Sequence, residues 1–140
     1  MKTKEDILIN LGDRRKRMEK ALQNTQPKQP ELRIAILTCR DTMLRCAGRS
    51  CIWAFQDKER HFSVYRDSEL PVRLCAYFGC NGCDADYETD PSFLKKVERL
   101  VLDDVSVIHL SGCLCHHCPN LEKIRSTIES YGIRCELGTH

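Results

Sequence analysis

The sequence predicts an α/β domain with three layers, in which a mostly parallel, four-stranded sheet carries helices on both faces. Short apolar runs typical of strands alternate along the chain with segments of helical periodicity. This alternation predicts right-handed crossovers and a parallel sheet. Three of the runs also deliver cysteines at their carboxyl ends, which is where ligands lie in open sheets of this kind.

Length and composition exclude several classes of protein. The 140 residues suit one compact domain with a core, and 22 Lys and Arg against 20 Asp and Glu leave a net charge of +2. That balance gives no strong signal for nucleic-acid binding. The sequence has no apolar run long enough to cross a membrane and does not begin with an export signal. We therefore expect a cytoplasmic protein without a membrane partner.

The first 31 residues are predicted to form an N-terminal helix and linker, ahead of a cysteine-rich domain over residues 32–140. Residues 4–23 have a patchy apolar stripe, and residues 24–31 (NTQPKQPE) are polar and carry two prolines. The basic run at residues 13–17 (DRRKR) is interpreted as a solvated helix face, with the docking of a protein partner as the alternative.

Two strands are predicted in the first half of the domain. The run at residues 32–38 (LRIAILT) is almost wholly apolar, as expected of a strand buried on both faces, and Cys39 follows it. A polar loop and a helix come next. Pro71 then introduces the second strand, which begins at Val72 and ends at Gly79.

The second half continues the alternation. Asp90 and Pro91 mark a helix start, as N-cap and first helical residue, and the third strand spans residues 105–110. A further helix opens at residues 119–120 and ends before Gly132, where a left-handed C-cap is expected. Residues 133–137 form the fourth strand.

Ten cysteines indicate metal binding or thiol chemistry, since the chain lacks the export signal that a disulfide framework would require. Cys80 and Cys83 form a Cys-x-x-Cys pair around two turn-tolerant residues, a spacing that suits zinc, an iron–sulfur cluster or a redox dithiol. A second dense motif, SGCLCHHCPN, interleaves three cysteines with His116 and His117. We interpret Cys75, Cys135 and His109 as interior residues of strands.

These patterns predict one site at the carboxyl edge of the sheet. The histidines slightly favour zinc, and an iron–sulfur cluster, for which thiolates alone are the preferred ligands, is close behind. Seven cysteine candidates exceed the needs of one four-coordinate ion, so either two sites or one site with supporting thiols is expected. The leading ligands are Cys39, Cys80, Cys83 and Cys113, with Cys118, Cys46, Cys51, His116 and His117 as further candidates.

With these residues identified, the chain from residue 33 to 140 resembles the CGGC domain family of small prokaryotic proteins. FGCNGC resembles the central motif, and IAILTCRDTMLRCAGRSC resembles the opening strand with its spaced cysteines; VIHLSGC, CPN and the final GTH also match. The resemblance implies metal binding without an assigned reaction. Asn81 replaces the first glycine of the motif, and Asn tolerates the same left-handed backbone region. Asn120 stands where the family has histidine, so His116 or His117 would replace that histidine if it is a ligand.

The functional hypothesis is an intracellular metal-binding protein with a cysteine cluster. The alternative is an enzyme, either a thiol-disulfide oxidoreductase or an iron–sulfur enzyme that uses the region of Cys80 and Cys83. A third hypothesis is a metal-stabilised interaction module that docks through its N-terminal helix. The sequence contains no phosphate-binding loop, dinucleotide fingerprint or hydrolase motif.

Overall fold

Four parallel strands form one sheet in the order β2-β1-β3-β4. The structure is a computed structural model and describes residues 30–140, so the predicted N-terminal helix and the linker up to residue 29 lie outside the described residues. The strands are β1 (Leu32–Thr38), β2 (Val72–Gly79), β3 (Val107–Leu110) and β4 (Arg134–Leu137). The helices are α1 (Arg40–Met43), α2 (Arg49–Gln56), a 3₁₀ helix (Arg60–Tyr65), α3 (Pro91–Leu102), α4 (Gly112–His117) and α5 (Leu121–Ser130).

The predicted three-layer α/β fold is confirmed, and every strand pair is parallel. Successive residues of β1 point to opposite faces of the sheet. Ile34 and Ile36 pack with residues of α2 and the 3₁₀ helix, whereas Ala35 and Leu37 pack with residues of α3 and α5. The four side chains are fully buried, as expected of a central strand that is covered on both sides.

The α3 helix begins as its sequence predicts. The Asp90 side chain accepts a hydrogen bond of 3.1 Å from the Ser92 amide, and Pro91 occupies the first turn. The helix then buries Phe93, Val97 and two further apolar residues on one face. In α5 the buried apolar residues are Ile124 and Ile128, and Leu121 is half-buried.

The last residues of the chain are tied to the sheet by a buried histidine. His109 Nδ1 lies 2.9 Å from the Gly138 carbonyl oxygen, and His109 Nε2 lies 2.6 Å from the Tyr65 hydroxyl. Since the carbonyl oxygen only accepts, Nδ1 carries the proton and Nε2 accepts from Tyr65. Burial lowers the pKa of His109, which keeps the ring neutral. The prediction of a satisfied interior histidine is confirmed.

The predictions that Cys135 and Cys75 are interior residues have different outcomes. Cys135 is buried, as predicted, whereas Cys75 is half-buried and occupies an irregularity in the pairing of β2 with β1. All ten cysteines fall within the described residues and all are free thiols. Within residues 30–140, every helix is too short or too polar to pass through a bilayer.

Candidate metal centre

Parallel pairing brings three cysteine-bearing segments to one edge of the sheet. Cys39 follows β1 and Cys80 follows β2, and the Cys80 amide donates to the Thr38 carbonyl oxygen at 2.9 Å. On the other side of β1, the Ser111 amide donates to the Leu37 carbonyl oxygen at 2.9 Å, which places the start of α4 beside the end of β1. The backbone ladder therefore continues past the strand ends and fixes the loops that carry the thiols.

Four thiols line one open cavity of about 240 Å³ at this edge. They come from separate parts of the chain: the end of β1, the loop after β2 and the residue that follows α4. Cys80 is buried, Cys83 is exposed and the other two are half-buried. Burial raises the pKa of Cys118, and its three cysteine neighbours raise it further. We call these residues the cavity thiols: Cys39, Cys80, Cys83 and Cys118.

The cavity thiols do not form a ready-made ligand group. Among residues 30–140, no three or more Cys, His, Asp or Glu side chains are placed so that they could hold a metal ion. The donor chemistry suits a soft or borderline metal, because four sulfurs and the His117 imidazole face the same space. The residues thus fit a metal by type and by location, and their side chains must turn toward one another to bind it.

A buried tyrosine fixes the Cys-x-x-Cys turn. The Tyr87 hydroxyl donates to the Gly82 carbonyl oxygen at 2.6 Å and accepts from the Asn81 amide at 3.1 Å. Burial raises the pKa of Tyr87 well above its ordinary value, so the hydroxyl keeps the proton that it donates. Gly82 has φ +94°, a left-handed conformation that favours glycine. The turn is therefore held from inside the protein as well as by its own backbone.

Asn81, the residue after Cys80, connects the same turn to α3. Its side-chain oxygen accepts from Lys96 Nζ at 2.8 Å, and its side-chain nitrogen donates to Asp90 at 3.2 Å. Lys96 Nζ also donates to the Gly79 carbonyl oxygen at 2.9 Å. Asn120 donates to the Cys83 carbonyl oxygen at 2.8 Å. Both asparagines thus supply hydrogen bonds that hold the loop of Cys80 and Cys83.

Three basic residues lie near the cavity thiols. The guanidinium of Arg40 lies over Gly82, where an added Cβ would come within 2.8 Å of Nη2. Lys96 lies beneath the turn, and Arg45 lines the cavity itself, where Asp41 supplies an opposing charge. The Arg40 amide also donates to Cys80 Sγ at 3.2 Å. Three basic side chains and the Asp41 carboxylate therefore lie beside the cavity thiols.

The remaining cysteine candidates lie outside the cavity lining. Three of them, Cys46, Cys51 and Cys113, act on the same tyrosine. Burial is the largest cause of the raised pKa of Tyr77, and each of the three thiols raises that pKa further. Cys51 and Tyr77 pack with the core of α2 and the 3₁₀ helix, across the sheet from the buried Cys80. We call Cys46, Cys51 and Cys113 the second thiol group.

Cys113 has the most polar environment of this group. Its sulfur lies 2.8 Å from the Ser111 hydroxyl and 3.2 Å from the Thr38 hydroxyl. Burial raises the pKa of Cys113, but hydrogen bonds from these side chains and from the Cys39 amide outweigh burial and leave the pKa below its ordinary value. Burial raises the pKa of Cys51, whose sulfur lies 3.2 Å from the buried Thr139 hydroxyl.

The structure therefore sorts the predicted ligands into two places. Cys118 and His117 accompany Cys39, Cys80 and Cys83 in the cavity, where the sequence analysis put Cys113 ahead of Cys118. His116 is exposed and outside the cavity lining. The sequence analysis missed the supporting roles of Tyr87, Lys96 and Arg40. The only sequence feature that points to a role for Tyr87 is its position four residues after Cys83, and that feature is weak.

A comparison with known families matches residues 33–140 to the CGGC domain. The match covers every residue that lines the cavity and every member of the second thiol group. No curated protein matches the chain, and no solved structure matches it.

Proposed function

The chain belongs to the cysteine-rich CGGC domain family, and from this premise we propose that it binds a metal ion or an iron–sulfur cluster through Cys39, Cys80, Cys83 and Cys118. The observation that carries the proposal is the cavity at the carboxyl edge, which four thiols line together. Four thiolates are a complete ligand set for tetrahedral zinc or for a cluster.

The charges around the cavity support a dianionic complex. A zinc ion with four thiolates and a cubane cluster with four thiolates carry the same formal charge, and both need compensating cations in a partly buried place. Arg40, Lys96 and Arg45 supply three positive charges, and the Arg40 amide donates directly to Cys80 Sγ. Asp41 offsets one of them.

Binding is expected to draw the thiols together. Cys83 is exposed on its turn and Cys118 is half-buried at the end of α4, so both can move by side-chain rotation. Cys80 is buried and held by a backbone amide, which makes it the fixed point of the site. Metal affinity then includes the free energy of this closure.

The two candidate cofactors differ in what they would supply. A bound zinc ion would stabilise the loops or polarise a ligand, and a cluster would carry electrons. His117 at the cavity slightly favours zinc as our first expectation. Either cofactor suits a reducing compartment, and we infer that the protein is cytoplasmic because its ten cysteines are free thiols.

Elemental analysis of anaerobically purified protein tests the proposal. We expect a stoichiometric metal in the wild-type chain and none in the Cys80→Ser, Cys83→Ser double variant. Cys75→Ser is the matched control, because Cys75 lies in β2, the strand that directly precedes Cys80, but outside the cavity lining. A colourless zinc protein indicates the mononuclear site, whereas a brown protein with iron and acid-labile sulfide indicates a cluster.

The contrary outcome is equally clear. If the wild-type chain binds no metal and instead cycles the Cys80 and Cys83 dithiol reversibly, the thiol-disulfide oxidoreductase hypothesis replaces this proposal. If the double variant retains the full metal content, the ligands lie elsewhere in the chain.

A further inference from the structure

A second open cavity, of about 410 Å³, lies apart from the metal centre. Its lining comes from the 3₁₀ helix, from β4 and from His109 of β3, and none of these residues lines the cavity of the thiols. The volume falls in the range of sites that bind small molecules. We call it the arginine cavity, because Arg60 and Arg134 lie in its lining.

The arginine cavity exists because the helix layer stops short of the edge strand β4. Cys135 packs with the core of α3 and α5, so Arg134 and Glu136, on either side of it, point to the opposite face of the sheet. On that face, the core beneath α2 and the 3₁₀ helix includes residues of β1, β2 and β3 but, within residues 30–140, none of β4. The charged side chains of β4 therefore border a gap.

The buried side of the arginine cavity is held in place by hydrogen bonds within the protein. Tyr65 and His109 line it with 7% and 1% exposure, and the Tyr65 hydroxyl lies 2.6 Å from His109 Nε2. The other ring nitrogen lies 2.9 Å from the Gly138 carbonyl oxygen. The His61 amide donates to the Thr139 carbonyl oxygen at 3.3 Å, which ties the 3₁₀ helix to the residues after β4. A cavity formed in advance lowers the cost of binding a ligand.

Two arginines and one carboxylate set the charge of the lining. Arg134 Nε lies 3.0 Å from Glu136 Oε1, and a guanidinium carries four further N–H donors on its terminal nitrogens. Among residues 30–140, no acidic side chain forms a salt bridge with Arg60. Arg60 also has φ +54°, a conformation that is uncommon outside glycine and that recurs at ligand sites. The lining thus offers an arginine without an acidic partner in this part of the chain.

Two exposed apolar side chains complete the lining. Val64 is 73% exposed and Leu137 is 42% exposed, and both lie at the arginine cavity. We propose that the cavity binds a small organic anion, with its carboxylate or phosphate group at Arg60 and Arg134 and its apolar body against Val64 and Leu137. Guanidinium groups bind both kinds of acid group through charge-assisted hydrogen bonds.

NMR titration of the full chain as purified tests the proposal with four probes. Hexanoate and hexyl phosphate carry an acid group on an apolar body, hexanol carries the body alone and inorganic phosphate carries the charge alone. We expect at least one hexyl anion to shift the amide signals of residues 60–65 and 134–138 and to bind about tenfold tighter than hexanol or inorganic phosphate. The tighter of the two hexyl anions identifies the acid group. Binding of hexanol with equal affinity, or no shift with either anion at millimolar concentration, would overturn the proposal.

Three variants change the affinity in different directions. Arg60→Gln is expected to weaken binding of the hexyl anion by about tenfold. Arg66→Gln is the matched control, since Arg66 pairs with Glu59 at 2.8 Å and lies outside the lining, and it is expected to change nothing. Glu136→Gln removes the opposing carboxylate and is expected to tighten binding, which a misfolded chain would not do. Equal affinities in Arg60→Gln and Arg66→Gln, or weaker binding in Glu136→Gln, would refute the assignment.

This inference is independent of the proposed metal site. The Cys80→Ser, Cys83→Ser double variant removes two cavity thiols and leaves the lining of the arginine cavity unchanged. We expect that variant to bind the hexyl anion with the affinity of the wild-type chain, whatever its metal content. A loss of about tenfold or more would place the anion at the metal centre and contradict a separate site.

Discussion

Removal of the Tyr87 hydroxyl tests how the Cys-x-x-Cys turn is held. In Tyr87→Phe the ring keeps its edge contact with Phe93, whose centroid is 4.7 Å away. The Gly82 carbonyl oxygen loses its donor, and the Asn81 amide loses its acceptor. Gly82 is buried, so its carbonyl oxygen has little access to water.

The expected loss of stability follows from these two groups. A buried polar group left without a partner costs about 1–3 kcal/mol. Since Asn81 is only half-buried and Gly82 is buried, we expect the free energy of unfolding to fall by about 2–3 kcal/mol in total. In a chain of this size the midpoint of thermal unfolding then falls by about 10 °C.

Urea unfolding and thiol labelling together measure the effect, and Tyr65→Phe is the matched control. Tyr65→Phe removes the buried hydroxyl contact with His109 Nε2, on the face of the sheet opposite Tyr87. We expect both variants to lose stability but only Tyr87→Phe to speed the alkylation of Cys80 and Cys83. A change in unfolding free energy below about 0.5 kcal/mol for Tyr87→Phe, or equal labelling in both variants, would refute the reasoning.

Three further predictions rest on single residues. Gly82→Ala and Gly132→Ala each place a side chain at positive φ (+94° and +84°), so each is expected to cost about 1–2 kcal/mol in unfolding free energy. Only Gly82→Ala displaces the Arg40 guanidinium and is expected to weaken metal binding, because nothing lies within 4 Å of a Cβ at Gly132; equal metal affinities would contradict this. Burial lowers the pKa of His109 in the folded chain, so the unfolded chain takes up the proton first as the pH falls through about 6.5. Urea unfolding at pH 7 and pH 5 should therefore show a stability loss that shrinks when His109 is replaced by Gln, and an unchanged loss would count against it. Phe93→Ala removes a fully buried ring and is expected to cost about 3–5 kcal/mol, measured by the same method, whereas a cost under 1 kcal/mol would show that the α3 face is not core.

Local patterns in the sequence were enough to predict the fold because each element carries its own signals. The apolar run of β1 matches the strand Leu32–Thr38, and the Asp90 cap appears where the Asp-Pro pair predicts it. Gly132 has the expected positive φ after α5. Crossover connections make the strands parallel, and parallel pairing brings the carboxyl ends of three strands to one edge.

The composition of the site depended on contacts that spacing does not encode. Whether Cys113 or Cys118 lines the cavity depends on α4. This short helix was not predicted, because its sequence was interpreted only as a dense motif of cysteines and histidines. Cys113 lies in the first turn of α4, beside Ser111, whereas Cys118 follows the last residue of α4 and lines the cavity. The sequence analysis allowed two sites without dividing the cysteines between them, because the two faces of the sheet become distinct only once the strands are paired.

X-ray absorption spectroscopy of the metal in the purified full chain tests the central claim most directly. The proposal predicts three or four sulfur neighbours, at about 2.3 Å if the metal is zinc. The sulfur shell is expected to persist in Cys113→Ser and to shrink in Cys118→Ser. A first shell of nitrogen and oxygen alone, or a shell that loses sulfur in Cys113→Ser and not in Cys118→Ser, would contradict a metal centre built from the cavity thiols.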